Sequence, residues 1–323
     1  MKVSLLINRD NFQKYSEWND TGWELLHLGN SGVDKAKLID TGADAIIVDA
    51  VVKIEQDVID NMPGLKLIHS QGVAYNAIDL EAARRRGVYV CNNAGMNARA
   101  VAEQAVMLIL ALVKNFRGNE DMVYSGRQME AKTGCFENGL PELFGKSVGI
   151  VGLGAIGSEL CSILNAFGCR VFYYTRRGDI GLTGAEYLPV EELYAQSDIV
   201  SLHTPVTAET TGMLNAETLG LFKRGALLIN TARGELVDHA AVVDALVSGR
   251  LGGFGTDTLA PEPVTSDNVF LRALPDELRS RVALSPHIAG ITAGFFIRAY
   301  AHIRSNIEAV KNGQKPDCIV NGL

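Results

Sequence analysis

An α/β fold built from two doubly wound parallel-sheet domains is the architecture this sequence predicts, and three observations predict it. Apolar runs of strand length alternate with helix-length segments along most of the chain. A glycine motif, Gly152-Leu153-Gly154-Ala155-Ile156-Gly157, stands directly after one such run and directly before a helical segment. The chain has 323 residues, enough for about two domains with separate cores.

The first third carries five strand candidates: Val3–Ile7, Glu24–Leu28, Ala45–Val48, Leu65–His69 and Val88–Cys91. Lys35–Thr41, Glu55–Met62 and Asp79–Arg86 are helices between them. That alternation is the rhythm of a parallel sheet covered on both faces. The turn Ser70-Gln71-Gly72-Val73-Ala74-Tyr75-Asn76 follows one of the strands. Loops at the carboxyl ends of such strands bind ligands in open α/β sheets. This turn either offers main-chain N–H groups to a small carboxylate or simply connects its strand to the next helix.

Arg99–Lys114 is too apolar to be anything but a helix buried between layers. Asn115–Phe144 is polar, irregular and rich in glycine, and too long for an ordinary connection. It is expected either to pack as an arm on another subunit or to make a surface excursion. From Lys146 the strand–helix unit repeats, with strands at Val148–Val151, Val171–Tyr174, Ile199–Leu202, Ala226–Asn230, Gly253–Asp257 and Val282–Ser285. Phe295–Lys311 is an amphipathic helix that returns to the first domain, making that domain discontinuous and placing the chemistry in the cleft between the two. The expected division is 1–96 with 291–323, and 97–290, with 115–144 as the arm.

Composition sets outer limits. The chain is 47% hydrophobic and 21% charged, so a packed globular core is expected. A net charge of −7 provides no basic patch for nucleic acid. The apolar start breaks at Asn8, Arg9 and Asp10, so no signal peptide is expected. The longest apolar run, Ala105–Val113, is far short of the ~20 residues of a membrane span. Cys91, Cys135, Cys161, Cys169 and Cys318 lack metal-ligand spacing. They read as reduced thiols of a cytoplasmic protein without a metal.

The glycine motif carries the most chemistry. Gly152 permits the tight turn out of the strand, Gly154 lets backbone approach a pyrophosphate, and Gly157 lets the following helix, read as Ser158–Phe167, lie close on the strand. The free N–H groups at that helix start would hold the anion. At the end of the next strand the sequence reads Tyr174-Thr175-Arg176-Arg177-Gly178. An NAD site usually places an acid about here, roughly 20 residues past the glycines, to hold the ribose 2′-hydroxyl. None is present. A hydroxyl and two guanidinium groups suit a 2′-phosphate, which argues for NADPH over NADH; otherwise Arg176 and Arg177 are solvated loop residues and NAD is accepted too.

Three residues follow three later strands: Arg233 in Asn230-Thr231-Ala232-Arg233-Gly234, Glu262 in Asp257-Thr258-Leu259-Ala260-Pro261-Glu262-Pro263, and His287 in Ser285-Pro286-His287-Ile288-Ala289-Gly290. They can converge at the carboxyl edge of one sheet. Reducing a 2-keto acid needs a fixed cation for the carboxylate and carbonyl, and a proton donor for the developing alkoxide. A histidine backed by a carboxylate supplies the proton, with its tautomer fixed.

With these motifs in place, the sequence resembles the D-isomer-specific 2-hydroxyacid dehydrogenase family. The resemblance covers nearly the whole chain. It rests on the glycine motif, His203-Thr204-Pro205 with Thr207, Thr210 and Asn215, Asn230 to Asp238, and Ser285 to Gly290. Asn97 with Val101-Ala102-Glu103, and Lys315-Pro316 with Val320-Asn321, add support. It implies a Rossmann-type nucleotide-binding domain inserted in a discontinuous flavodoxin-like substrate domain. It implies that Arg233 binds the substrate carboxylate and carbonyl, that His287 is the acid/base, and that Glu262 is its partner. Cofactor contacts are implied at Gly152, Gly154, Ala155, Ile156, Gly157, Thr175, Arg176, Arg177, Thr204, Pro205, Thr231, Ala232, Arg233, Asp257, His287 and Gly290. Substrate contacts are implied at Gly72, Val73, Ala74, Arg233 and His287. The implied partners are a small 2-keto or 2-hydroxy acid and a second copy in a homodimer. The implied product is a D-2-hydroxy acid.

Some positions depart from the family pattern. Ala74 stands where glycine is frequent, Gly294 where an acid is frequent, and His239 where Glu is common. The missing acid at Thr175 resembles NADPH-using reductases of glyoxylate and hydroxypyruvate. Asp49 stands where members that bind phosphorylated substrates carry Arg, and no C-terminal regulatory extension is expected. Two alternatives remain: an NAD-dependent phosphoglycerate-dehydrogenase-like enzyme, and a cofactor-sensing regulatory protein on the same fold. A formate-dehydrogenase-like reading fails on Glu262.

Overall fold

The computed structural model describes residues 1–323. The chain resolves into two compact units, Met1–Asn97 with Ile291–Leu323, and Ala98–Gly290.

The first unit opens with β1 (Lys2–Leu6), α1 (Arg9–Tyr15), β2 (Glu24–His27), α2 (Lys35–Asp40) and β3 (Ala45–Val48). It continues with α3 (Gln56–Asp60), β4 (Leu67–Ser70), α4 (Leu80–Arg85) and β5 (Tyr89–Cys91). The strands form one parallel sheet in the order β2-β1-β3-β4-β5. Strands β3 and β4 are buried along their whole length, as continuous apolar runs in a parallel sheet should be. Side-chain caps start the helices: Asp34 accepts from the Ala36 and Lys37 N–H groups, and Asp79 from Ala82 N–H.

The second unit begins with α5 (Ala98–Val113), α6 (Phe116–Tyr124) and α7 (Gln128–Asn138). Then come β6 (Ser147–Val151), α8 (Ala155–Ala166), β7 (Arg170–Tyr174), β8 (Glu186–Tyr187), α9 (Val190–Gln196) and β9 (Ile199–Leu202). The unit closes with α10 (Ala216–Gly220), β10 (Ala226–Asn230), α11 (His239–Val247), β11 (Leu251–Thr256), α12 (Val269–Ala273) and β12 (Val282–Leu284). Asn97, expected with this unit, falls in the first, since α5 starts at Ala98. The seven strands are parallel in the order β12-β11-β10-β9-β6-β7-β8. The order reverses at β6, whose neighbours are β7 on one side and β9 on the other. That reversal is where a doubly wound sheet opens its ligand crevice. Alternate residues of the strands feed two cores. Val148, Ile150, Val171 and Tyr173 pack with α5 and α8; Phe172, Val200, Leu228 and Phe254 pack with α9, α11 and α12.

The last helix, α13 (Ala293–Lys311), belongs to the first unit. Thr292 caps it, and Tyr300, Ile303, Ile307 and Val310 pack on the face of the sheet that carries Val3, Leu5, Ile47 and Leu67.

Two expectations need correction, and two elements, α1 and β8, lie outside them. The irregular stretch 115–144 contains α6 and α7. Neither helix buries a residue within the chain, and α7 carries no apolar periodicity to mark it in the sequence. Helix α8 starts at Ala155, three residues before the expected Ser158, because Gly154 is its N-cap and the glycine motif runs into the first turn. Helix α1 was not anticipated; Asn8 caps it and Phe12 alone is buried. Strand β8 is a two-residue edge pairing on β7, too short for a periodic signal.

Candidate active site

The carboxyl ends of β6, β7, β9, β10, β11 and β12 carry the residues singled out above, all within the second unit, except Gly72, Val73 and Ala74, which follow β4 in the first. Gly152 follows β6 with φ +100°. A Cβ there would lie 2.5 Å from the His203 carbonyl oxygen and 2.9 Å from the Thr204 nitrogen, at the end of β9. Gly157 touches the loop from the helix side: its Cβ would lie 2.4 Å from the Gly152 carbonyl oxygen. These two glycines are dictated by close backbone approach.

Gly154 is different. A Cβ there would meet nothing within 4 Å, so no protein packing requires a glycine, whereas a ligand lying against the loop would. Helix α8 has no side-chain cap, which leaves its first N–H groups, at Ala155 and Ile156, for an anion. Past β10, Thr231 is buried and its Oγ1 has no hydrogen-bond partner. An open cradle, an uncapped helix start and an orphaned buried hydroxyl fit a dinucleotide. Thr204 and Pro205 continue from β9, and the Pro205 carbonyl accepts from Thr210 Oγ1 at 2.7 Å.

Beyond β7, Thr175 to Gly178 form a turn closed by Gly178 N–H on the Thr175 carbonyl at 2.9 Å. Arg177 N–H reaches Thr175 Oγ1 at 3.5 Å. Both Arg176 and Arg177 are exposed, and neither forms an ion pair.

Glu262 and His287 meet. The imidazole Nδ1 lies 2.9 Å from both carboxylate oxygens of Glu262. Nδ1 therefore donates, and Nε2, which has no protein partner, is the atom free for a substrate oxygen. His287 itself has φ +56°, a strained conformation for a residue with a side chain. Asp257 holds it there. The Asp257 carbonyl accepts from His287 N–H at 2.8 Å, and its buried carboxylate accepts from Ile288 N–H at 3.0 Å, Ala289 N–H at 2.9 Å and Ser285 Oγ at 2.5 Å. Gly290 ends this loop and the unit. Asn268, buried at the start of α12, donates to the Ala260 carbonyl at 3.0 Å and so steadies the segment carrying Glu262.

Arg233 is exposed, and its guanidinium donates only to the Ala232 carbonyl, at 2.7 Å. It is not paired with Glu262. Its main chain is fixed by Asn230, which donates to the Arg233 carbonyl at 2.8 Å and accepts from Ala232 N–H at 3.0 Å. Asn230, Ser285 and Asn268 are supporting residues that sequence reasoning did not single out as site residues. Their signal was available: each is a hydrogen-bonding residue within or beside a loop that follows a strand.

A cleft of about 700 Å³ opens beside the Glu262–His287 pair. Leu259, Val264, Leu271 and Leu284 give it an apolar wall.

In the first unit, the turn after β4 keeps Val73 and Ala74 exposed and Gly72 half-buried. Gly72 N–H meets Ser70 Oγ at 3.3 Å. Ala74 is not among the residues with positive φ, so alanine sits in this turn without strain.

Residues 106–289 match the family described as D-isomer specific 2-hydroxyacid dehydrogenase, NAD binding domain. The chain belongs to the D-isomer-specific 2-hydroxyacid dehydrogenase family. It is an oxidoreductase, a 2-keto acid reductase that works with a nicotinamide cofactor. The glyoxylate reductase of Pyrococcus furiosus is 34% identical over 283 residues, 86% of this chain and 82% of that one. The glyoxylate reductase of Thermofilum pendens is 36% identical over 86% of this chain and 81% of that one. Among solved structures, a D-2-hydroxyisocaproate dehydrogenase superposes with a TM-score of 0.85 at 28% identity, over all of both chains. An acyclic imino acid reductase in complex with NADPH and D-Arg superposes with a TM-score of 0.77 at 25% identity, over 99% of this chain and 100% of that one. Proteins of different substrate names thus share this fold, and local residues must carry the choice.

Proposed function

We propose that this dehydrogenase reduces a small 2-keto acid to the D-2-hydroxy acid, with NADPH preferred and His287 as proton donor. The observation that carries the reading is the Glu262–His287 pair, bonded through Nδ1 at the carboxyl edge of the sheet that also bears the glycine loop. Gly152, Gly154 and Gly157 with the start of α8 would hold the pyrophosphate, and Thr204, Pro205, Thr231, Ala232, Asp257 and Gly290 would line the rest of the dinucleotide. A bound nicotinamide supplies the hydride that C2 of the substrate accepts. Arg233 binds the carboxylate and polarises the carbonyl, which its unpaired guanidinium supports. In the first unit, the main-chain N–H groups of the turn Gly72, Val73 and Ala74 are read as donors to a small carboxylate. As negative charge develops on the carbonyl oxygen, His287 Nε2 delivers a proton, and Glu262 stabilises the imidazolium and holds the ring in place.

The preference for NADPH is supported by two exposed, unpaired guanidinium groups where NAD sites carry an acid. A homodimer is supported by helices α6 and α7, which bury nothing within this chain yet expose Tyr124 at 85% and Phe136 at 91%. Five unpaired cysteines favour the cytoplasm as working compartment, and no helix is long and apolar enough to cross a membrane.

Glyoxylate is the first substrate to try, since the most similar relatives above carry that name. A second reading, a 2-keto acid with a larger apolar side chain, is favoured by the apolar wall of the cleft beside His287. The test is a matched oxidation assay of glyoxylate, hydroxypyruvate, pyruvate and a branched 2-keto acid, each with NADPH and with NADH. Fast NADPH oxidation with one acid supports the reading; a clear NADH preference overturns the role given to Arg176 and Arg177. His287→Ala should lower turnover by about 10²–10⁴-fold while cofactor binding stays nearly intact, and normal turnover would remove His287 from the mechanism.

A further inference from the structure

Strand β4 and the turn after it are held by polar groups that the mechanism above leaves unused. Every carbonyl from Ser70 to Ala74 is engaged. Ser70 O accepts from His69 Nδ1 at 2.8 Å, and Gln71 O from Asn93 Nδ2 at 2.8 Å. Gly72 O accepts from Asn93 N–H at 2.9 Å, Val73 O from Asn92 Nδ2 at 2.7 Å, and Ala74 O from Ser70 Oγ at 2.6 Å. With the carbonyl side saturated and Gly72 N–H on Ser70 Oγ at 3.3 Å, the N–H groups of Val73 and Ala74 are the donors left to the turn, and successive N–H groups of this kind make an anion-binding concavity.

Asn93 is the centre of this arrangement. It is fully buried, and its amide and main-chain N–H together hold Gln71 and Gly72, with a longer reach of 3.5 Å to Ser70 O. Of the two ways round that an amide can lie, the Gln71 carbonyl fixes one, because it can only accept and so takes Nδ2. Asn93 Oδ1 lies 2.8 Å from His302 Nδ1 on α13. With that oxygen facing the ring, His302 Nδ1 carries the proton and donates, while Nε2 faces Asn306 Nδ2 at 3.4 Å. A flipped amide would set its oxygen against the Gln71 carbonyl. Further along α13, Asn306 donates to His69 Nε2 at 3.0 Å and to the Asp317 carbonyl at 3.1 Å. Tyr300 OH accepts from Gln71 Nε2 at 2.6 Å and donates to Asn11 Oδ1 at 2.7 Å.

We infer that His302 is a positioning residue for substrate: through Asn93 it sets the turn Gly72–Ala74 in the shape that receives the substrate carboxylate. The inference rests on the reading of that turn as a carboxylate site. His302 does not touch the substrate. It acts two hydrogen bonds away, so its loss weakens capture of the carboxylate without altering the proton-transfer machinery in the other unit.

The experiment measures the KM of the best keto acid of the panel, the Kd of oxamate on the NADPH-loaded enzyme, the Kd of NADPH, and kcat. His302→Phe keeps a ring and removes the donor. It should raise the keto acid KM and the oxamate Kd by about tenfold, the worth of one buried hydrogen bond, with kcat and NADPH affinity within about twofold. His302→Asn, which restores an N–H near the Nδ1 position, should recover most of the loss. Asn93→Asp keeps the shape but sets a carboxylate against the Gln71 carbonyl, and should reproduce the loss; it serves if His302→Phe does not fold. An unchanged oxamate Kd in the folded variants, or a parallel loss of NADPH affinity, would overturn the inference. Ala74→Pro removes a donor of the turn itself. If Ala74→Pro leaves oxamate binding intact, the carboxylate reading of the turn fails. If Ala74→Pro weakens oxamate and His302→Phe does not, the role of His302 alone fails.

Discussion

Asp257 shows how one buried carboxylate can serve a reacting group it never replaces. Its two oxygens and its carbonyl take four hydrogen bonds from the loop Ser285–Ala289 and hold His287 at φ +56°. The ring that results points Nδ1 at Glu262 and keeps Nε2 unpartnered. Glu262→Gln separates charge from geometry, since the Gln carbonyl still accepts from Nδ1. The expected outcome is a fall in kcat of about 10²-fold with the Kd of NADPH unchanged. A kcat equal to that of the parent enzyme would mean that orientation alone, and not the carboxylate charge, is what Glu262 provides.

At the scale of elements, the β6–α8 junction is built on close backbone approach. Helix α8 lies on the strand at the closest distance backbone allows, because Gly157 has no Cβ to strike the Gly152 carbonyl 2.4 Å away. Gly157→Ala therefore forces the helix off the loop. A loss of about 1–3 kcal/mol in unfolding free energy is expected from such overpacking, together with a larger loss of dinucleotide affinity, because the N–H groups of α8 move with the helix. Denaturant melts and NADPH titration on the same sample check both. The Gly154→Ala variant is the informative contrast. Its Cβ meets no protein atom within 4 Å, so stability should hold while dinucleotide binding falls.

For the molecule as a whole, the buried histidines set an acid limit. His69 is fully buried, and desolvation pushes its pKa down from 6.5 to about 3. Burial also lowers His302, His239 and His27. The unfolded chain binds a proton at His69 below its ordinary value of 6.5, while the folded chain stays neutral until about 3. More protons on the unfolded state means that stability falls as pH drops through this window. His69 alone contributes about 1.4 kcal/mol per pH unit below the ordinary value. Thermal scans should show a steady fall in Tm from pH 6 to pH 4, and a Tm flat over that range would contradict a neutral buried ring. The homodimer proposed above is tested at the same scale: Phe136→Asp with Tyr124→Asp should give a monomer by sedimentation where the parent chain is a dimer, at unchanged secondary structure, and a monomeric parent chain would remove the proposal.

Much of the architecture was legible because burial in a parallel sheet leaves a local trace. Ala45–Val48, apolar throughout, and Ile199–Leu202, apolar but for Ser201, read as strands bounded by turns, and each has those bounds in the structure. Helices α6 and α7 left no such trace, having no buried face inside the chain. The roles of the glycine loop, and the placement of Arg233, Glu262 and His287 after strands, followed from short local patterns. What pairs with what did not. Glu262 and His287 are separated by 25 residues, and Asn93 and His302 by 209. By itself the sequence determined the family, the alternation of strand and helix, and the residue types offered to a dinucleotide and a keto acid. Tertiary structure alone decided which imidazole nitrogen is free, which carboxylate holds the His287 loop, and that a histidine of the last helix bonds the asparagine behind the turn after β4. Periodicity and turn chemistry act between near neighbours in the chain, whereas hydrogen bonds between buried polar groups exist only once the fold has brought distant segments together.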